Sequence, residues 1–213
     1  LQTTESKNQT RSGDEIKEVK KMDKKWWKEA VVYQIYPRSF MDSNGDGYGD
    51  LEGIRSRLDY VKDLGFNTIW ISPVFCSKFE DGGYDITDFY KIDPRFGTNT
   101  DLVNLVNDAH EKDIKVCLDL VAGHTSDKHP WFLESANGDP NGHYADYYIW
   151  TKGKKTTPPK PERGGWVKNE YPRDGYYLMN YYDIQPALNY GYYQPNPENS
   201  WEQAYNAPGP KAV

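Results

Sequence analysis

The chain has 213 residues, 37% of them hydrophobic, enough for one sizeable core or two small domains of a soluble globular protein. Its 26 Lys and Arg stand against 32 Asp and Glu, a net charge of −6, which excludes the concentrated basic face that a nucleic acid requires. No run is apolar for long enough to span a bilayer, and the first thirty residues hold no apolar signal core. Neither nucleic acid nor membrane is therefore expected as a partner, and the expected location is the cytoplasm. Eighteen Tyr and seven Trp each join a flat apolar face to a polar tip. Core packing is the ordinary use of any one of them, but their clustering suits the C–H faces and hydroxyl rim of a sugar. Cys76 and Cys117 fall in different predicted strands, with neither a metal CxxC nor a disulfide framework around them, and are expected to be reduced.

In chain order, residues 1–25 are polar and without periodic apolar positions beyond Ile16 and Val19, which predicts a disordered leader. Met22 stands just before the first dense apolar segment and is a candidate natural start. The run AVVYQIYPRSF from Ala30 reads as a buried strand ended by Pro37. Leu51, Ile54, Leu58, Val61 and Leu64 then recur at helical spacing, with Gly65 as the stop. A second strand is expected over Phe66 to Val74. A helix capped by Thr98 or Thr100 carries Leu102, Leu105, Val106 and Ala109, and a third strand runs from Ile114 to Val121. Strands this apolar, alternating with helices, predict parallel βα units in a barrel or a doubly wound sheet. The first strand-to-helix turn is the acidic DSNGDGYGD rather than GxGxxG, which favours the barrel. Beyond His124 the rhythm stops. Residues 126–189 read as an inserted β-rich domain without a helix of convincing length, TKGKKTTPPKPERGG being its most flexible part, and 190–213 as the return to the barrel.

Four segments carry candidate chemistry. Asp42, Asn44, Asp46 and Asp50 place oxygen donors at alternate positions, with the Tyr48 carbonyl between them and glycines to allow a tight turn, as a hard cation such as Ca²⁺ requires. The run imitates the first nine positions of an EF-hand, but its twelfth is Gly53 rather than Glu, and an Asx-rich turn capping the Leu51 helix is the plainer reading. Gly82-Gly83-Tyr84-Asp85 follows the second strand and pairs an aromatic with a carboxylate; it suits a sugar, and equally a turn with a capping Asp. The third strand ends at Asp119, readable as a structural carboxylate bonded to loop amides, followed by Gly123-His124. His124 is readable as a satisfied loop histidine or as a donor to a substrate hydroxyl. Strand ends are where barrels put their chemistry. No GxSxG and no zinc spacing among His110, His124, His129 and His143 are present.

Together the stretches WWKEAVVYQIYPRSFMDSNGDGYGDLEGI, LGFNTIWISPVF, GGYDITDF, DLVAGHTSDKHPWF, YYIW and QPALN resemble the α-amylase family, glycoside hydrolase family 13, and within it the oligo-1,6-glucosidase and α-glucosidase branch. The resemblance implies the N-terminal part of a (β/α)8 TIM barrel over 26–125, with domain B inserted after the third strand. It implies a retaining glycosidase acting on α-linked gluco-oligosaccharides, with Ca²⁺ held by Asp42, Asn44, Asp46, Tyr48 and Asp50. It also implies a glucose subsite lined by Tyr84, Asp85 and His124, and places Gln185 in a motif tied to specificity. The family's nucleophilic Asp and acid/base Glu belong to the fourth and fifth strands, so no catalytic carboxylate is expected in this chain, which reads as an inactive fragment. α-Amylase activity, trehalose- or sucrose-isomerising transglycosylation and a non-catalytic relative are the alternatives. Two departures stand out: Gly123 where the family places Asn, and Ala187 where the branch has Asp.

Overall fold

A computed structural model describes residues 25–139, 141–151 and 164–190. The expected leader, most of the TKGKKTTPPKPERGG run and nearly all of the expected return segment lie outside the described residues. A three-stranded parallel sheet, β1 (Val32–Ile35), β2 (Thr68–Ile71) and β5 (Lys115–Leu118), lies in the order β1-β2-β5, with Tyr33, Ile69 and Val116 side by side. Chain-order neighbours pair because each helical crossover returns the chain one strand along. The crossovers are α1 (Pro37–Phe40), α2 (Leu51–Ser56), α3 (Leu58–Asp63) and α4 (Asn99–Glu111). Their apolar faces close on one side of the sheet, where Ile35, Ile69 and Ile71 meet Leu51, Ile54, Leu58, Val61 and Leu105.

The single helix expected from Leu51 to Leu64 is two. Ser56 Oγ donates to the Gly53 carbonyl at 2.7 Å, and Arg57 leaves helical geometry at φ −110°. A serine that bonds back to the preceding turn competes with the backbone ladder and bends it. The apolar phase survives the break, since Leu58 and Val61 are as buried as Leu51 and Ile54. Thr98 is the cap of α4: its hydroxyl accepts from the Asp101 amide while the Asp101 carboxylate accepts from the Thr98 amide, a reciprocal box.

An antiparallel hairpin, β3 (Phe75–Ser77) with β4 (Ile86–Ile92), follows β2, where the sequence pattern predicts no strand. A second hairpin, β6 (Gly165–Lys168) with β7 (Tyr176–Met179), belongs to the segment after His124. The expectation that this segment has no convincing helix needs correction. Helix α5 (Pro130–Asn137) has Pro130 in its first turn and Gly138 in the left-handed conformation at φ +89° after its end. A second core forms around it, with Phe132 against Tyr148 and Tyr177 at ring separations of 5.1 and 4.9 Å.

Candidate active site

The loops leaving the C-terminal ends of β2 and β5 meet the QPALN segment. Ala187 pairs antiparallel with His124, the Leu188 amide donates to the Gly123 carbonyl at 3.1 Å, and the Thr125 amide donates to the Pro186 carbonyl. The departure at Ala187 thus sits in a backbone bridge. This stitch brings Gln185 to residues a hundred positions earlier: its side-chain amide donates to Asp81, and its oxygen accepts the amides of Tyr181 and Tyr182.

Asp85 is fully buried. Its carboxylate accepts from the Ser77 hydroxyl and the Glu80 amide, and its own amide donates to Asp81 at 2.8 Å. Burial, with the neighbouring Asp81 carboxyl second, raises the Asp85 carboxyl above its ordinary value. Tyr84 donates its hydroxyl to Asp119 at 3.1 Å, so Asp119 serves a side chain rather than loop amides. Burial and that carboxylate raise the tyrosine's pKa.

His124 is 3% exposed. Its Nε2 lies 3.1 Å from the Tyr84 carbonyl, which can only accept, so Nε2 carries the proton; Nδ1 faces the Asn180 amide nitrogen at 3.0 Å. Burial lowers its pKa. Tyr84, Asp85, His124 and Gln185, anticipated from sequence, therefore share one hydrogen-bonded cluster with Ser77, Asp81, Asp119 and Asn180. Asp81 had a legible signal, a carboxylate four residues before Asp85 across two glycines. Asn180 had none, because its contact spans fifty-six positions.

The acidic loop is a chain of side chains capping backbone amides. Asp42 accepts from Asn44, Gly45 and Gly47, Asn44 from Asp46, and Asp46 from Tyr48; Asp50 accepts from Ser43 and, as the cap of α2, from Gly53 at 2.6 Å. The amides of Gly47 and Gly45 hold the Asp42 carboxyl below its ordinary value. Among the described residues no three His, Cys, Asp or Glu side chains converge tightly enough to hold a metal ion, and both cysteines are free. No described helix is long and apolar enough to cross a membrane. A cleft of about 470 Å³ is lined by Arg38, Asp46, Tyr48, Phe79, Arg95 and Phe96, and neither Asp85 nor His124 lines it.

The family description "Alpha amylase, catalytic domain" matches residues 34–206. The oligo-1,6-glucosidase of Bacillus cereus is 51% identical over 174 residues, covering 79% of this chain and 31% of the relative. The palatinase of Erwinia rhapontici is 48% identical over 170 residues, covering 77% and 30%. Among solved structures, a mutant trehalose-6-phosphate hydrolase of Bacillus licheniformis superposes with a TM-score of 0.72 at 43% identity over 78% of this chain and 30% of that one. An isomaltulose synthase mutant of Erwinia rhapontici, in complex with its natural substrate sucrose, gives 0.70 at 44% over the same shares. The chain spans about a third of the length of these relatives. Parallel strands in βα order, a carboxylate and a histidine at their ends and this degree of identity agree: the chain belongs to the α-amylase family, glycoside hydrolase family 13, in its oligo-1,6-glucosidase and α-glucosidase branch, and its sheet is the N-terminal part of that family's (β/α)8 barrel.

Proposed function

We propose that the protein built on this chain is a retaining α-glucosidase that releases glucose from short α-linked oligosaccharides, and that this chain supplies one wall of its glucose subsite. The observation that carries the reading is the convergence of Tyr84, Asp85, His124 and Gln185 in one buried polar cluster at the strand ends, in a chain half identical to an oligo-1,6-glucosidase. In this reading Tyr84 offers its ring to the sugar face, while the buried Asp85 and His124, their polar atoms taken by Ser77, Glu80, the Tyr84 carbonyl and Asn180, hold the Tyr84 loop in place behind it. Gln185 holds Asp81 beside them. Retaining hydrolysis needs two further carboxyl groups about 5–5.5 Å apart, one to attack the anomeric carbon and one to protonate the leaving oxygen. Those come from later strands of the barrel, and Asp85, enclosed by its own protein partners, takes neither role.

The test is the whole protein incubated with isomaltose, maltose, sucrose and starch. Glucose released from isomaltose or maltose is expected; isomers formed from sucrose would move the reading to transglycosylation, and no product from any of the four would end it. Asp85→Asn in the same protein is expected to lower kcat/KM by about 10²-fold, the scale of a roughly 1 Å misplacement of a substrate-positioning group.

Ca²⁺ belongs to the same proposal. Every donor in the acidic loop is a hard oxygen, three of them carboxylates within nine residues, and Asp42 is held ionised by its amide contacts. Asp42, Asn44, Asp46, Asp50 and the Tyr48 carbonyl would hold the ion by turning inward from the loop amides that these side chains cap in this structure, and it would supply a fixed positive charge beside the start of α2. Adding Ca²⁺ at about a hundred times its Kd is expected to stabilise the protein by about 2.7 kcal/mol. Asp46→Ala is expected to abolish that gain; a thermal midpoint indifferent to both Ca²⁺ and chelator would remove the ion from the account.

A further inference from the structure

The geometry points to Asn180 as the positioning residue of the glucose subsite, holding His124 in its neutral, Nε2-protonated form, and to Gly123 as the residue that makes room for it. The inference rests on the subsite reading above and adds two residues to it.

The Tyr84 carbonyl, 3.1 Å from Nε2, accepts and cannot donate, so Nε2–H is fixed from one side. From the other side the Asn180 side-chain amide presents its N–H to Nδ1 at 3.0 Å. A protonated Nδ1 would meet that N–H head on, so the contact favours the ring with a bare Nδ1. The titratable groups around the ring are Asp85, whose carboxylate favours protonation, and Tyr84 and Tyr181, the latter meeting the imidazole edge-on with centroids 6.1 Å apart. Asn180 opposes Asp85. It also fixes ring rotation, since a ring held at both nitrogens has one orientation.

The space Asn180 uses exists because residue 123 has no side chain. A Cβ built on Gly123 would lie 2.8 Å from the Asn180 amide nitrogen, its one contact under 3 Å. The backbone of Gly123 needs no left-handed conformation, so accommodation of this amide is the local reason for glycine. Asn180 itself hangs on the stitched segment, its backbone amide donating to the Gln185 carbonyl at 2.9 Å. The inserted segment thereby sets the protonation state of a histidine on the barrel.

Two measurements on the whole protein test this. Imidazole ¹⁵N spectra, with the His124 signal assigned by its loss in His124→Gln, are expected to show the neutral Nε2–H tautomer at pH 7. Asn180→Asp should move the His124 titration midpoint upward by about 1 to 3 pH units, as a new carboxylate at this range does. An imidazolium or an Nδ1–H tautomer in the unsubstituted protein, or no movement in Asn180→Asp, would overturn the inference. The second measurement is a double-mutant cycle in kcat/KM. Gly123→Ala and Asn180→Ala are each expected to cost about tenfold to a hundredfold through misplacement of the ring, while the double variant should be no worse than Asn180→Ala, since the clash has lost its object. Additive losses would sink the pairing. A protein that cleaves no α-glucoside defeats the subsite reading alone, and the spectra still decide the state of His124.

Discussion

His129 shows how much one side chain's surroundings can ask of it. It caps α5 by accepting the Trp131 amide on Nδ1 at 3.1 Å, and its ring packs at a tilt against Trp131 and Phe89 at 4.4 and 5.7 Å, those two rings also touching at 6.0 Å. Only 3% of it is exposed. Burial carries its pKa from 6.5 down to about 4, with the Asp88 charge offsetting only part of the shift. The unfolded chain therefore binds a proton near pH 6.5 that the folded one refuses until about pH 4. Between those values the unfolded state holds more protons, so stability rises with pH and is lost progressively as pH falls from about 6.5 toward 4. His129→Asn keeps a capping side chain without the titration; urea melts across this window should show a shallower pH slope in the variant, and an unchanged slope would show that His129 does not titrate as described. His124 is depressed in the same direction and should account for part of the slope that remains. None of this was legible in the sequence, where His129 was one of four histidines without metal spacing. A cap partner two residues away can be read, but the aromatic cluster requires Phe89, forty positions earlier.

At the scale of elements, glycine in the acidic loop and α2 has a second reason beyond turn geometry. A Cβ on Gly53 would lie 1.9 Å from the Met41 carbonyl oxygen and 2.7 Å from its carbon, so the helix packs backbone to backbone against the start of the loop. An alanine normally gains about 1 kcal/mol over glycine inside a helix. Here the obstacle is main chain and cannot swing aside, so Gly53→Ala is expected to destabilise by about 1–3 kcal/mol, the scale of overpacking. A thermal midpoint that rises in the variant would refute the close approach. Helix and strand positions set by local chemistry were readable: the 3.6-residue apolar phase of α2 and α3, the Thr98 cap, and the apolar runs of β1, β2 and β5. The break at Arg57 was not, because one serine hydroxyl decides it. Helix α5 carried its signals, Pro130 before and Gly138 after, yet eight residues give only two turns and its Trp and Phe read as β-rich. The β3–β4 hairpin escaped because its register shifts twice, at Phe75/Cys76 and at Cys76/Ser77, which erases the alternation that marks a strand.

For the molecule as a whole, the parallel order followed from apolar strands separated by helical crossovers, and the meeting of Tyr84, Asp85 and His124 from the loops that follow β2 and β5 at one end of the sheet. What joins them, Gln185 to Asp81 and Asn180 to His124, depends on a segment returning across the sheet, and no local pattern encodes that. The described sheet has one covered face. Its edges are β1 and β5, and along it Val32, Trp70 and Leu118 remain 46%, 39% and 38% exposed, with Leu120 at 75% just beyond. Unpaired strand edges beside apolar side chains are templates for pairing with another chain. The 213-residue chain expressed by itself is therefore expected to self-associate, to bind an apolar dye, and to give Trp emission characteristic of wet indole. Val32→Lys with Leu118→Lys, one charge on each edge strand, should shift the population toward monomer. Light scattering on both forms decides it: a soluble monomer with a sharp, reversible thermal transition in the unsubstituted chain would mean that three strands and their helices satisfy themselves, and that the apolar edge is not an unfilled contact.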